Sequence, residues 1–275
     1  MEGRPMNLKS ISSSLFAGII LLACSGTFST TAIAAGAQKE SACTPKELPA
    51  IPERKWSFQG IFGHYDHDSA LRGFEVYKGV CASCHSLNLF AFRNLAALGA
   101  TEEEIKGVAQ EFEVPAAPND DGEIVARKAL PSDHFPKPYP NLKAAAAANG
   151  GAIPPDLSLI VKARADLEAH VPKILGGYMT PPAGCDIPEG RYYNAYFPGY
   201  QISMAPPLLA DAVTYNDGTP ATVEQMTVDI NNFLAFVAEP KLEERKQTGL
   251  KVLIFLIILT VLLYLAKREV WRKVH

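Results

Sequence analysis

Cys81-Ala82-Ser83-Cys84-His85 decides how the rest of the chain is to be read. Two thiols three positions apart fall on one turn, where each can add to a vinyl group of a single haem while the adjacent imidazole reaches the iron from the same side. The pentapeptide points to c-type haem attachment. Upstream, Asp68 or Ser69 is placed to cap a helix over 70–84, in which Phe74, Tyr77 and Cys81 recur at i, i+3 and i+7. That helix carries the Cys pair at its end and turns it toward the core. Two rivals share the motif. A redox dithiol belongs after a strand in a βαβ unit, and neither the helical approach nor the Pro-rich surroundings suggests one. A zinc site would recruit His64 and His67, but this His pair precedes the Cys pair, the reverse of the usual finger order. A metal staple is also needed chiefly by domains too small for a core.

Haem iron needs a sixth ligand or an open position, and that choice decides function. Met1 and Met6 fall in the leader described below, which leaves Met179, Met204 and Met226. Met226 belongs to a predicted helix over 222–238, with Thr222 and Gln225 as a capping box and Val223, Met226, Ile230, Phe233, Leu234 and Val237 on one apolar face. It reads as core. Met204, before Ala205-Pro206-Pro207, lies in a loop stiffened by two prolines that can hold sulfur against iron at small entropic cost. Met179 shares that context before Thr180-Pro181-Pro182, so the residues alone put Met204 only slightly ahead. His134 and His170 are nitrogen alternatives, although loop histidines more often face solvent.

The chain has 275 residues, 48% apolar and 20% charged, with a net charge of −3. This excludes a disordered chain and a disulfide-stapled miniprotein, and it provides no basic footprint for nucleic acid. Residues 1–35 carry Arg4 and Lys9, an apolar run from Leu15 to Ala23 and a small-residue end at Ala32-Ile33-Ala34, the pattern of a cleaved secretory leader. Cys24 is a weaker, lipoprotein-type cleavage candidate. Residues 249–266 hold one charge, Lys251, near the edge. As a helix they span about 27 Å, enough for one membrane crossing. Lys267, Arg268, Arg272 and Lys273 follow in the tail 267–275, which the positive-inside rule puts in the cytoplasm with the body across the membrane. With both basic ends set aside, the body is more acidic than the whole chain. That acidity suits a basic soluble partner, or simple solubility.

Taken in order, these residues resemble one family, cytochrome c1, the haem-bearing subunit of the cytochrome bc1 complex (ubiquinol–cytochrome c oxidoreductase). The resemblance begins near Trp56 and rests on residues 72–86 (RGFEVYKGVCASCHS), 133–141 (DHFPKPYPN), 149–158 (NGGAIPPDLS), 192–199 (YYNAYFPG), 204–208 (MAPPL), 215–222 (YNDGTPAT) and 233–240 (FLAFVAEP). It implies one covalently bound haem c, with thioether bonds at Cys81 and Cys84, His85 as the proximal ligand and Met204 as the distal one. It also implies that Arg164 lies by a haem propionate, where without the family it would read as a solvated helix charge. Pro154 and Pro155 resemble the family's haem-packing prolines; a bare turn is the alternative. At His170 the chain departs from relatives that carry an aromatic residue. Cys43 and Cys185 remain, and in an oxidising compartment they are candidates for a disulfide between the N-terminal arm and the Pro-rich segment. Family members differ in their extra cysteines, so the resemblance does not settle the pair.

Helix signals over 70–84, 101–112, 157–175 and 222–238, a helical alanine run at 144–148 and few alternating patterns give the expected fold. It is mainly α, a class I cytochrome c-like domain over 36–248 with long loop insertions, plus one C-terminal transmembrane helix. An iron held by His and Met has both axial positions filled, and the soft thioether raises its potential, which makes a one-electron relay. The resemblance implies an electron taken from the Rieske iron-sulfur protein, beside cytochrome b, and passed to a soluble basic cytochrome c. It also implies a haem domain in the bacterial periplasm, anchored in the inner membrane. An anchored cytochrome feeding another oxidase or reaction centre is the alternative, and a haem-based sensor would need a vacant sixth position. The acidic runs at 102–104 and 119–121 are candidates for docking the carrier.

Overall fold

The computed structural model describes residues 42–51 and 54–273, so the expected leader and its cleavage site lie outside the described residues. Two helices far apart in sequence form the centre. Helix α1 (His67–Gly79) starts one turn earlier than predicted, because its cap is Asp66, whose carboxylate accepts the Ser69 N–H. It also ends sooner. Gly79 and Val80 close it, and Cys81–Ser83 form a separate 3-10 turn, so the thiols sit just past the helix rather than on it. Phe74 and Tyr77 are buried as their spacing requires, and Cys81 packs on the same core.

Helix α2 (Glu102–Gln110) begins with a full capping box between Thr101 and Glu104. A small antiparallel hairpin follows, β1 (Glu113–Pro115) against β2 (Ala126–Lys128). The alanine run lies in α3 (Leu142–Ala148), capped by Asn141. The helix predicted over 157–175 does not form as one element. Residues 157–166 are turns, Leu167–Ala169 is a 3-10 turn, and only α4 (His170–Gly176) is α-helical. The segment is pinned at its start by side-chain bonds to residues 86–89, and Pro172 removes a backbone donor near its end. A second two-stranded ribbon, β3 (Tyr192–Tyr193) against β4 (Gln201–Ile202), precedes the Met204 loop.

Helix α5 (Val223–Ala238) is buried on nearly every side and runs against α1. Thr222 caps it by accepting the Gln225 N–H at 3.1 Å, half of the predicted box. The two helices touch backbone to backbone at Gly73, where an added Cβ would stand 2.0 Å from the Asp229 carbonyl oxygen. Beside that contact the fully buried Asp229 carboxylate accepts hydrogen bonds from Ser69 Oγ (2.6 Å), from Arg72 Nε (3.1 Å) and from Gln225 Nε2 (3.0 Å). Around the crossing an aromatic cluster completes the core. Phe135, from the loop after the hairpin, packs against Phe74, Tyr77, Phe90 and Phe92, with ring centroids as close as 4.1 Å.

Helix α6 (Leu242–Trp271) contains the predicted apolar run and continues beyond it at both ends. It is long and apolar enough to cross a membrane, and the apolar stretch is not packed against the domain. Its root is bonded to the body. Glu239 pairs with Lys162 and Arg245, and Glu243 Oε1 accepts the Tyr65 N–H at 2.7 Å.

Candidate haem-attachment site

Because α1 stops at Gly79, the Cys81–Ser83 turn projects both thiols from one rim of the core, and both are unbridged. Burial, and then the neighbouring Cys84, push the Cys81 thiol up to about 12, the opposite of the lowered thiol that a redox dithiol needs. Tyr139 Oη lies 3.9 Å from Cys84 Sγ. The zinc alternative also fails on geometry. Among the described residues no three His, Cys, Asp or Glu side chains are arranged to hold a metal, and His67 instead faces Glu243 at 3.5 Å.

His85 is fixed from two directions. Its backbone carbonyl accepts the Tyr77 hydroxyl at 3.2 Å, and its Nδ1 lies 2.8 Å from the Pro155 carbonyl oxygen. That carbonyl can only accept, so Nδ1 carries the proton and Nε2 keeps its lone pair. Burial lowers the imidazole's pKa and favours this neutral form. The residues present therefore fit a haem: a neutral imidazole with its outer nitrogen available, beside two thiols on one turn. The Pro155 carbonyl sets the ring's tautomer and orientation.

Pro155 is itself held by Asp156, which sequence reasoning missed. The Asp156 carboxylate accepts from Ser86 Oγ (2.8 Å), the Asn88 N–H (2.9 Å) and the Ser158 N–H (2.9 Å). The Leu157 N–H reaches the Ser86 carbonyl at 2.9 Å, and the Leu89 N–H reaches Ser158 Oγ at 3.0 Å. Burial alone would raise the Asp156 carboxyl, but the hydrogen bonds from Ser158, Asn88 and Ser86 hold it below its ordinary value. The available signal was Asp156-x-Ser158 directly after two prolines, an Asx-turn composition.

The methionines separate by environment. Met226 is fully buried in the core, Met179 is 40% exposed, and Met204 is half-buried on the loop after β4. The Tyr178 hydroxyl donates to the Met204 carbonyl at 2.9 Å. The buried Asn194 ties the same region to α4, donating from Nδ2 to the Ile174 carbonyl at 2.8 Å, while the Ala195 N–H reaches the Gly177 carbonyl at 2.8 Å. Tyr178 and Asn194 are further residues that the sequence did not single out. His134 is engaged elsewhere, its Nδ1 2.6 Å from the Asn88 carbonyl. His170 opens α4, and burial, followed by the Arg164 charge, holds its pKa down. Arg164 itself is exposed in a turn, bonded to the Ala163 carbonyl at 3.2 Å, with no carboxylate in ion-pair range among the described residues. Pro154 is half-buried beside Pro155. Cys43 and Cys185 form a disulfide that ties the N-terminal arm to this side of the molecule. Tyr193 and Tyr196 add bonds to the Cys43 and Pro49 carbonyls.

A helical domain crossed by its first and last core helices, bearing a Cys-x-x-Cys-His turn and tethered by one membrane helix, defines an anchored electron-carrier protein of the cytochrome c type. Residues 56–274 match the Cytochrome C1 family, and the chain belongs to that family. It is 45% identical to cytochrome c1 of Rhodospirillum rubrum, over 82% of this chain and 89% of that protein. It is 53% identical to a mitochondrial cytochrome c1 haem protein of Arabidopsis thaliana, over 77% of this chain and 68% of that one. A cytochrome b/c1 of Bradyrhizobium diazoefficiens is 45% identical over 82% of this chain and 36% of its own length. The chain is an electron-transfer subunit of the bc1 complex, held to the membrane by its C-terminal helix, rather than an enzyme on its own. The family implies haem c.

Proposed function

We propose that this chain carries one covalent haem c, bonded through Cys81 and Cys84, and relays single electrons from the Rieske iron-sulfur protein to a soluble basic cytochrome c. His85 and Met204 are the axial ligands, Arg164 offers its unpaired guanidinium to a propionate, and Pro154 and Pro155 pack the ring. The observation that carries the reading is the Nδ1 contact of His85 with the Pro155 carbonyl, which leaves Nε2 available beside the two thiols. When bound, haem supplies a reversible one-electron couple, and a thioether ligand favours its ferrous form. This chain's own residues fix the ligands: Tyr77 holds the His85 backbone, Pro155 holds its imidazole, and Tyr178 holds the methionine loop.

The domain lies in the periplasm over a bacterial inner membrane, with the basic tail in the cytoplasm, and it works beside cytochrome b and the Rieske protein. The name of the cytochrome b/c1 relative supports the place beside cytochrome b. For carrier docking, Glu102 and Glu103 are the free charges of the first acidic run, because Glu104 is folded back onto Thr101. An absorption spectrum with a redox titration, on wild type and Met204→Ala, tests the assignment. The variant loses the sulfur-to-iron charge-transfer band and falls in potential. A pigment extracted by acidified acetone, or a band that survives the substitution, rejects it.

A further inference from the structure

Ahead of α1 the chain makes a tight turn at 60–63, Gly60-Ile61-Phe62-Gly63. Its two tip side chains are among the most exposed large apolar groups of the described body, Ile61 at 77% and Phe62 at 74%. The side chains flanking the turn behave in the opposite way, since Trp56, Phe58 and Tyr65 are all buried. The turn is built rather than loose. Gly60 has a φ of +74°, and a Cβ on Gly63 would lie 2.1 Å from the Gln59 carbonyl oxygen, so both corners require glycine. Single exposed apolar residues are ordinary on any protein surface, but an adjacent pair held at a rigid tip calls for a partner.

Its position identifies that partner. The Lys246 ammonium, on the root of α6, donates to the carbonyls of Phe58 (2.7 Å) and Gly63 (3.0 Å), clamping both flanks of the turn to the membrane helix. Lys246 precedes the start of the apolar run at Gly249 by three residues, a rise of about 4.5 Å. The polar layer on each side of a bilayer's hydrocarbon is roughly 5–7 Å deep, so with the hydrocarbon beginning at Gly249 the residue that clamps the turn falls within that layer. The whole stretch 56–63 (WSFQGIFG) carries no ionisable side chain, unlike a surface built to meet a charged protein. The span that follows exposes its own apolar residues from its first turn, Leu250 and Val252.

We propose that Ile61 and Phe62 are a second membrane contact, an apolar wedge seated in the interfacial layer of the bilayer beside α6. Helix and wedge together give the domain two attachment points and fix its tilt over the membrane. The test uses the assembled holo complex, reconstituted in bilayers containing nitroxide-labelled phospholipid, with a bimane label at Phe62→Cys or, separately, at Ile61→Cys. Ile124→Cys, 65% exposed beside the acidic hairpin tip, controls for the label's own greasiness. Quenching by nitroxide lipid at least threefold greater at 61 or 62 than at 124, with reduced quenching by aqueous iodide, is the expected result. Equal lipid quenching at all three sites overturns the proposal. Protection at 61 and 62 from both quenchers also overturns it, by assigning the wedge to a neighbouring subunit.

Discussion

The two candidate axial ligands are held by different kinds of architecture. His85 follows directly from α1, which is locked onto α5 by a backbone contact at Gly73, a buried ionic network and an aromatic cluster. Met204 hangs on a loop after a two-residue strand, secured by one tyrosine hydroxyl, one buried asparagine and a disulfide-tied arm. The imidazole side draws its stability from the core of the whole domain, whereas the sulfur side depends on a few separable polar ties. A relay with one rigid and one adjustable ligand can tune its potential from the loop side without disturbing the fold.

Damage to the helix crossing therefore has the largest effect. Gly73→Val puts side-chain atoms where the α5 backbone already stands, and neither helix can yield without opening the core. Overpacking in a core costs about 1–3 kcal/mol, and a clash with backbone falls at or beyond the top of that range. The expected outcome is loss of haem-bearing protein in membranes, measured by pyridine haemochrome against total chain. Asp229→Ala comes next. It leaves the half-buried Arg72 guanidinium with only Asp217 as carboxylate partner, and because that pair remains the cost falls at or below the roughly 3–5 kcal/mol of breaking a fully buried pair. Denaturant unfolding of the holo domain reads that loss, and the sulfur-to-iron band should persist until the domain unfolds.

How much of this was legible in the sequence follows the same division. The two helices of the crossing, though not their contact, were readable because each satisfies its own local rules: Phe74 and Tyr77 share a face, and Thr222 caps the helix that buries Met226. The failed helix over 157–175 shows the limit. Its composition is compatible with a helix, but Asp156 and Ser158 bond to residues near 86–89, about seventy positions away, and those tertiary bonds win. For the same reason the sequence carries no sign that the Pro155 carbonyl holds the imidazole. Tyr178 and Asn194 were invisible because their partners are backbone carbonyls, which carry no sequence label. Cys43 and Cys185 were visible as the two spare thiols and as a candidate pair, and the fold joins them across 142 positions.

On the loop side the effects are smaller and act on ligation. Tyr178→Phe removes the hydroxyl that donates to the Met204 carbonyl, a net loss of about 1 kcal/mol. The fold should survive it. On warming, however, the sulfur-to-iron band should disappear several degrees before global unfolding, a gap absent from wild type and from Asp229→Ala. Simultaneous loss of band and fold in Tyr178→Phe would mean that the loop is as firmly integrated as the helices.

The smallest effect lies at the hairpin, where a single half-buried polar tie backs the segment that packs on the helix crossing. Asp133 accepts from Arg127 Nη2 at 2.9 Å and from the Leu130 N–H at 2.7 Å, joining β2 to the segment that delivers Phe135 to the core. The hydrogen bond from Arg127 is the main reason its carboxyl is held down at about 2, against burial, which raises it. The unfolded chain titrates near 3.9, so the native state binds its proton less readily. A carboxylate of this kind contributes its stability above about pH 4, and the contribution is lost as pH falls toward 2. Asp133→Asn should therefore be less stable than wild type at pH 6, and the difference should close as pH drops through that window. Because the pair is only half-buried and within reach of solvent ions, raising the salt concentration at pH 6 should narrow the difference as well. A pH-independent gap would locate the effect in the Leu130 turn, whose N–H an asparagine oxygen also accepts, and not in the charge.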